Sequence, residues 1–209
     1  MTVSDLGFIH QFVPATVPGL PTLLLLHGTG GDENDLLDLG RALLPGTALL
    51  SPRGKVSEEG MARFFRRMAE GVFDQEDLRR RTDELATFVA AAAANYGFAS
   101  NQMIAVGFSN GANIAASLLL RQPAALAGAI LLSAMVPFVP ATPPDLAGRP
   151  IFIGEGRRDP LIPAANAAQL VAILTVAGAT VTEHWHDGGH TITPDELRAA
   201  QAWLAQTRG

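Results

Sequence analysis

Short apolar runs alternate with stretches of helical periodicity along most of this chain. Leu20 to His27 is apolar and ends at Gly28, and Thr47 to Ser51 ends at Pro52. Each predicts a buried strand bounded by a breaker. Leu78, Leu85, Phe88, Val89, Ala92 and Tyr96 recur at helical spacing, which predicts a helix over 77–96 closed by Gly97. Further strands are expected at 102–107, 126–133, 150–154 and 180–186. Helices are expected at 112–121, stopping at Pro123, and at 164–177, closed by Gly178. Thr193-Pro194-Asp195-Glu196 opens a last helix as a capping box with proline at the first helical position. Such alternation predicts a single α/β domain over residues 1–209, with a mostly parallel central sheet covered by helices on both faces. No internal repeat or low-complexity linker interrupts it. In sheets of this kind sites form at the carboxyl ends of strands. Gly28, Ser109, Asp159 and His190 all fall just past expected strands.

One of those strand ends carries the strongest chemical signal. Gly107-Phe108-Ser109-Asn110-Gly111 lies between the strand at 102–107 and an Ala- and Leu-rich helix. A G-x-S-x-G in that setting is a nucleophile elbow, a sharp turn that lifts a serine above the sheet. Its glycines are needed where strand and helix backbones come too close for a β-carbon. The helix N-terminus beneath Ser109 favours a developing oxyanion.

Composition narrows the alternatives. The 209 residues carry a formal charge of −5, and the longest basic run is Arg79-Arg80-Arg81. That run falls on an expected helix and reads as a solvated face, so no nucleic-acid partner is expected. There is no cysteine, hence no disulfide framework and no thiol nucleophile. Met1-Thr2-Val3-Ser4-Asp5 lacks the charged and apolar regions of a secretory signal, and no apolar run approaches the ~20 residues that span a bilayer. A cytoplasmic protein with no membrane span is the expectation. Oligomeric state, a homodimer included, stays open.

A serine hydroxyl needs a base within hydrogen-bond reach, and the base needs an orienting acid. His190, after Asp187-Gly188-Gly189 in the loop before the last helix, is the best-placed base. His184 and His186 share one face of a strand, where packing or surface roles fit better. Three neighbouring histidines also raise metal binding, but no carboxylates with ligand spacing accompany them, so neither metal nor cofactor is expected. His10 carries no signal. The chain order Ser…Asp/Glu…His requires an acid between 109 and 190. Asp159, in a loop with Pro160 and Pro163, fits; Glu155 is the competitor, and Asp195 is explained as a first-turn helix acid. The oxyanion needs two backbone N–H donors. Asn110, just after the nucleophile, supplies one. The loop His27-Gly28-Thr29-Gly30-Gly31-Asp32 supplies the other, with Thr29 the chosen residue. A phosphate-cradling reading of that loop lacks the Walker lysine and the G-x-G-x-x-G spacing.

His27 to Asp32, the elbow, Asp159-Pro160 and Gly189-His190 together resemble the α/β-hydrolase fold. More narrowly they resemble its carboxylesterase/phospholipase branch, which includes acyl-protein thioesterases and dienelactone-hydrolase-like bacterial esterases. Ser51-Pro52-Arg53-Gly54, Arg63-Phe64-Phe65 and Phe73-Asp74 are most similar to the bacterial esterases. The resemblance implies a Ser109–Asp159–His190 triad and oxyanion donors at Thr29 and Asn110. Acyl-protein thioesterases usually carry glutamine where this chain has Asn110, and dienelactone hydrolases proper use a cysteine that it lacks.

The expected activity is therefore a serine carboxylesterase acting on small, short-acyl esters through an acyl-enzyme. A lysophospholipase or acyl thioesterase is the alternative within the same chemistry, and a non-catalytic binding module is a third. The connection at 134–149 is too short for a cap domain. The irregular excursion at 53–75 should lie at the site end of the sheet. Phe64, Phe65, Met135 and Leu161 are the candidate substrate contacts, although the phenylalanines could equally anchor the excursion to the core. Arg63, Arg66 and Arg67 could meet an anionic group or form an exposed helix face.

Overall fold

A computed structural model of the protein describes residues 6–207; the Met1–Asp5 segment, read above for a targeting signal, lies outside them. In chain order the elements are β1 (His10–Val13), β2 (Leu23–Leu26), α1 (Leu37–Leu43), β3 (Leu49–Pro52), β4 (Val56–Glu58), β5 (Met61–Arg63), β6 (Arg67–Ala69), β7 (Val72–Phe73), α2 (Gln75–Tyr96), β8 (Ile104–Phe108), α3 (Asn110–Arg121), β9 (Gly128–Leu132), β10 (Pro150–Gly156), α4 (Ala164–Val176), β11 (Thr180–His186) and α5 (Pro194–Gln206).

Seven strands form one sheet in the order β1-β3-β2-β8-β9-β10-β11. All its pairings are parallel except the antiparallel β1–β3 edge. The continuous apolar runs follow from burial on both faces. Leu23 and Leu25, with Leu49, Val106, Ile130 and Phe152, point to the side where α1 and α5 pack through Leu43, Trp203 and Leu204. Leu24 and Leu26, with Leu50, Ala105, Leu131 and Ile153, point to the side covered by α2, α3 and α4. The period of two along each strand thus feeds two cores at once. Each fully buried leucine contributes about 1.5–3 kcal/mol relative to exposure.

The helix signals read from the sequence operate as expected. Asp74 caps α2 by accepting from the Asp77 N–H, and Gly97 ends it in the left-handed region at φ 74°. Thr193 and Glu196 form a reciprocal capping box at the start of α5. Arg80 and Arg81 pair with Glu84 and with the buried carboxylate of Asp77 on α2; Arg79 and Arg80 are exposed, whereas Arg81 is largely covered.

The excursion after β3 departs from the sequence reading. It contains no helix; it folds as two small antiparallel hairpins, β4–β5 and β6–β7. Arg63 accordingly is not on an exposed helix face but only 3% exposed. Helix α1, absent from the sequence reading, fills the other side of the sheet.

The centre of the sheet depends on a close backbone crossing. A β-carbon on Gly111 would overlap the Leu26 carbonyl, and one on Gly107 would sit 2.6 Å from the Ala112 nitrogen. Gly111→Ala is therefore expected to destabilise the protein by about 3 kcal/mol or more, because backbone rather than a flexible side chain must move. Equilibrium urea unfolding measures this; a loss under about 1 kcal/mol would show that the crossing is slack.

Candidate active site

Strand β8 delivers Ser109 to the carboxyl edge of the sheet. The residue has φ 53° and ψ −114°, a conformation that L side chains rarely adopt. Two hydrogen bonds hold it there: its N–H donates to Leu132 O at 2.9 Å, and its carbonyl accepts from Asn113 N–H at 2.9 Å. Helix α3 starts at the next residue, so its free N–H groups and partial positive charge lie beside the hydroxyl.

Two strands away, the loops after β10 and β11 are zipped together. Arg157 N–H donates to His186 O and Arg158 N–H to Gly188 O. A side chain at Gly156 would collide with the Gly189 carbonyl, which is why glycine stands there. The zipper brings His190 Nδ1 to 2.7 Å from Asp159 Oδ2 and His190 Nε2 to 2.8 Å from Ser109 Oγ. Since a carboxylate only accepts, Nδ1–H donates to Asp159, and Nε2 is left to accept from the serine hydroxyl. Asp159 is itself held by N–H donors from Leu161 and Ile162 on Oδ1. Its side chain is fully buried, whereas that of His190 is 18% exposed at the cleft. The three residues expected to act together are thus in one hydrogen-bonded line.

The other histidines are engaged elsewhere. His27 accepts from Gly54 N–H at Nε2, so its Nδ1–H donates to Gly28 O. Burial lowers its pKa and keeps the ring neutral. His186 is buried and accepts from Gly188 N–H, while His184 stacks on Phe152. His10 bridges Phe8 O and the Tyr96 hydroxyl. Among the described residues no group of three His, Asp or Glu side chains is arranged to hold a metal ion.

Glu155, the competing acid, hydrogen-bonds to Ala134 N–H at 3.0 Å rather than to His190. Burial pushes its pKa up to about 8, with nearby Asp159 and Glu196 adding to the rise. Glu196 is raised to about 7, also by burial.

A cleft of about 200 Å³ opens over the serine. Thr29, Ser109, Asn110 and His190 line its floor. Met135, Leu161 and Ile162 also line the cleft, as do Arg63, Arg67, Glu70 and Phe73 from the two hairpins. Met135 and Leu161, two of the candidate substrate contacts, line this cleft. Phe64 and Phe65 do not: they are 1% and 0% exposed and belong to the core cluster beneath the hairpins. The physical reason is packing, for Phe64 lies against His27 and Phe65 meets Phe73 edge-on. Phe108, Ile162 and Glu70 were missed by sequence reasoning. Only Phe108 carried a signal, as the residue before the nucleophile; its ring packs 5.1 Å from that of His190.

The geometry has counterparts among known proteins. A family model described as Phospholipase/Carboxylesterase matches residues 10–208. MhqD of Bacillus subtilis (strain 168) is 51% identical over 184 residues, covering 88% of this chain and 92% of its own. The Bacillus cereus carboxylesterase superposes with a TM-score of 0.94 at 46% identity, over 95% of this chain and 94% of its own. A carboxylesterase from Mesorhizobium loti superposes with a TM-score of 0.91 at 32% identity, over 97% of both chains. The sheet and its flanking helices are those of the α/β-hydrolase fold that these proteins share.

The raised carboxyl groups predict how stability changes with pH. Glutamate in the unfolded chain titrates near its ordinary 4.5, and Glu155 in the fold near 8. Between those values the folded state holds a proton that the unfolded state has lost, so stability falls as pH climbs through that window and levels off above it. Glu155→Gln keeps the acceptor for Ala134 N–H and removes this titration. Its melting temperature should therefore gain on that of the wild type between pH 5 and pH 8, while Glu196 keeps its own smaller share up to about 7. A difference in melting temperature that stays constant across that range would contradict the assignment.

Proposed function

The chain belongs to the phospholipase/carboxylesterase family, and from that premise we propose that it is a serine esterase in which Ser109 is the nucleophile, His190 the general base and Asp159 the orienting acid. The observation that carries this reading is the line Ser109 Oγ–His190 Nε2–Asp159 Oδ2, with contacts of 2.8 and 2.7 Å. In the proposed reaction His190 Nε2 takes the hydroxyl proton as Ser109 Oγ bonds to the ester carbonyl carbon. The carbonyl oxygen becomes an oxyanion, which the N–H groups of Thr29 and Asn110 accommodate. Neither N–H donates to a protein acceptor among the described residues. Collapse expels the alcohol, protonated by His190, and leaves an acyl-serine. A water molecule activated by the same imidazole then releases the acid. Asp159 fixes the Nδ1–H tautomer and balances the imidazolium charge that appears twice in the cycle.

The same reading extends to substrate size. At about 200 Å³ the cleft is smaller than the ~300–1,000 Å³ of typical ligand pockets. Its apolar lining is confined to Phe73, Phe108, Met135, Leu161 and Ile162 and is interrupted by Arg63, Arg67 and Glu70, so a long alkyl chain would run out of apolar surface to bury against. Each methylene removed from water is worth about 0.8 kcal/mol, so chain length is rewarded only while the cleft can cover it. Small esters with short acyl groups fit best.

Two experiments test these assignments. Ser109→Ala and His190→Ala should each lower kcat for p-nitrophenyl acetate by several orders of magnitude, and the double variant should lose little more than either, since the pair acts as one unit. Asp159→Asn should also fall steeply, while Glu155→Gln stays within about tenfold. Activity in Ser109→Ala within about tenfold of wild type would remove the nucleophile assignment. In a series of p-nitrophenyl esters from acetate to palmitate, kcat/KM should peak at roughly two to six acyl carbons. A maximum at ten or more would favour the lysophospholipase or thioesterase reading instead.

A further inference from the structure

The two N–H groups assigned to the oxyanion sit on separate parts of the chain, and one short segment touches both. Asn110 is the first residue of α3; Thr29 lies in a loop with glycine on both sides, and Gly30 has φ 84°. Gly30 N–H donates to Ala62 O at 2.9 Å. Arg63 Nη1 donates to Thr29 Oγ1 at 2.7 Å. Phe64 N–H donates to Asn110 Oδ1 at 2.7 Å. Three consecutive residues, at the end of β5 and just beyond it, therefore grip the two donors from one side.

Arg63 is built into place rather than resting on the surface. It is 3% exposed, and its Nε donates to Phe65 O at 3.2 Å and lies 3.3 Å from Glu58 Oε2. A side chain at Gly54 would collide with the Arg63 carbonyl, so the strand it ends is pressed against the turn after β3. That turn is itself stitched to the same loop: Gly54 N–H donates to His27 Nε2, and Arg53 Nε donates to Glu33 Oε2 at 2.5 Å. Burying a guanidinium beside a cleft is costly unless its donors are satisfied, and one of them is spent on the hydroxyl of Thr29.

Resting on the serine-esterase reading above, we propose that residues 62–64 form a clamp that sets the spacing of the two oxyanion donors, with Arg63 a positioning residue that acts through the Thr29 side chain. A donor pair preorganised in this way stabilises the charge that develops in the transition state without reorganising as it forms. The clamp also explains the work of the Asn110 side chain, whose carbonyl oxygen is the anchor on the helix side. The consequence is specific: loosening the clamp should cost turnover more than ground-state binding.

Thr29→Val keeps the backbone N–H and the branched shape but removes the acceptor for Arg63. With p-nitrophenyl acetate its kcat should fall by about ten- to hundredfold while KM stays within about threefold. Thr29→Ser, which restores the hydroxyl, should recover most of the loss. Arg63→Met removes the same interaction together with the contacts to Phe65 O and Glu58, so it should lose at least as much as Thr29→Val, and the double variant should lose little more than Arg63→Met alone. Affinity for a trifluoromethyl ketone, which forms a tetrahedral adduct on the serine, should weaken in step with kcat; affinity for acetate as a competitive product should not. A folded Thr29→Val or Arg63→Met enzyme with kcat within threefold of wild type would overturn the clamp. So would a loss that falls on KM alone, which would make Arg63 a direct substrate contact. Failure of the esterase reading itself would look different, since an organophosphonate would then leave Ser109 of the wild-type protein unlabelled.

Discussion

The arrangement at the cleft depends on how closely the start of α3 approaches the end of β2. At Gly111 only a hydrogen fits against the Leu26 carbonyl. That contact lets the chain turn sharply out of β8, and the turn forces Ser109 into a backbone conformation with positive φ. The same contact places the loop that follows β2 beside the first residue of α3. The proposed nucleophile and both proposed oxyanion donors thus arise from a single backbone crossing, braced by leucines that β2 sends alternately into the two cores.

The proposed acid and base depend on a second constraint, the parallel register of β10 with β11. Gly156 pairs with His186 at the ends of the two strands, so the loops leave the sheet at the same height and can bond to each other. Directly below, Glu155 is buried beside the segment that carries Met135. Its raised pKa of about 8 leaves it mostly protonated at neutral pH. A protonated Glu155 places no second negative charge beside Asp159.

The sheet strands were legible because burial on both faces gives short, unbroken apolar runs stopped by Gly or Pro, and that pattern is local. The elbow, the capping box at Thr193 and the placement of Asp159 and His190 past strand ends were legible for the same reason. Strand limits shifted by a few residues: β2 begins at Leu23 rather than Leu20, after Pro21. Helix α1 was not legible. Its seven residues include Gly40, a poor helix former packed tightly against the ends of the Leu25 and Leu49 side chains. The hairpins were hidden too, since strands of two or three residues are too short to show alternation. Arg63-Phe64-Phe65-Arg66-Arg67 has the spacing of one turn of amphipathic helix, and only tertiary contacts decide otherwise. Those contacts, with His27, Phe73 and Asn110, are also what withdraw Phe64 and Phe65 from the cleft.

Among the described residues strand β11 is an edge, paired with β10 alone, and His190 follows it. The hydrogen bond from Ser109 to His190 joins residues 81 positions apart, and the one from His190 to Asp159 spans 31. A ribosome delivers these pieces in order. Strands β2, β3, β8 and β9 flank the elbow and all precede His190 in the chain, so the proposed nucleophile is synthesised before the group proposed to activate it. On the proposed reading, activity waits for the outermost strand, whose loop carries His190 to the serine hydroxyl.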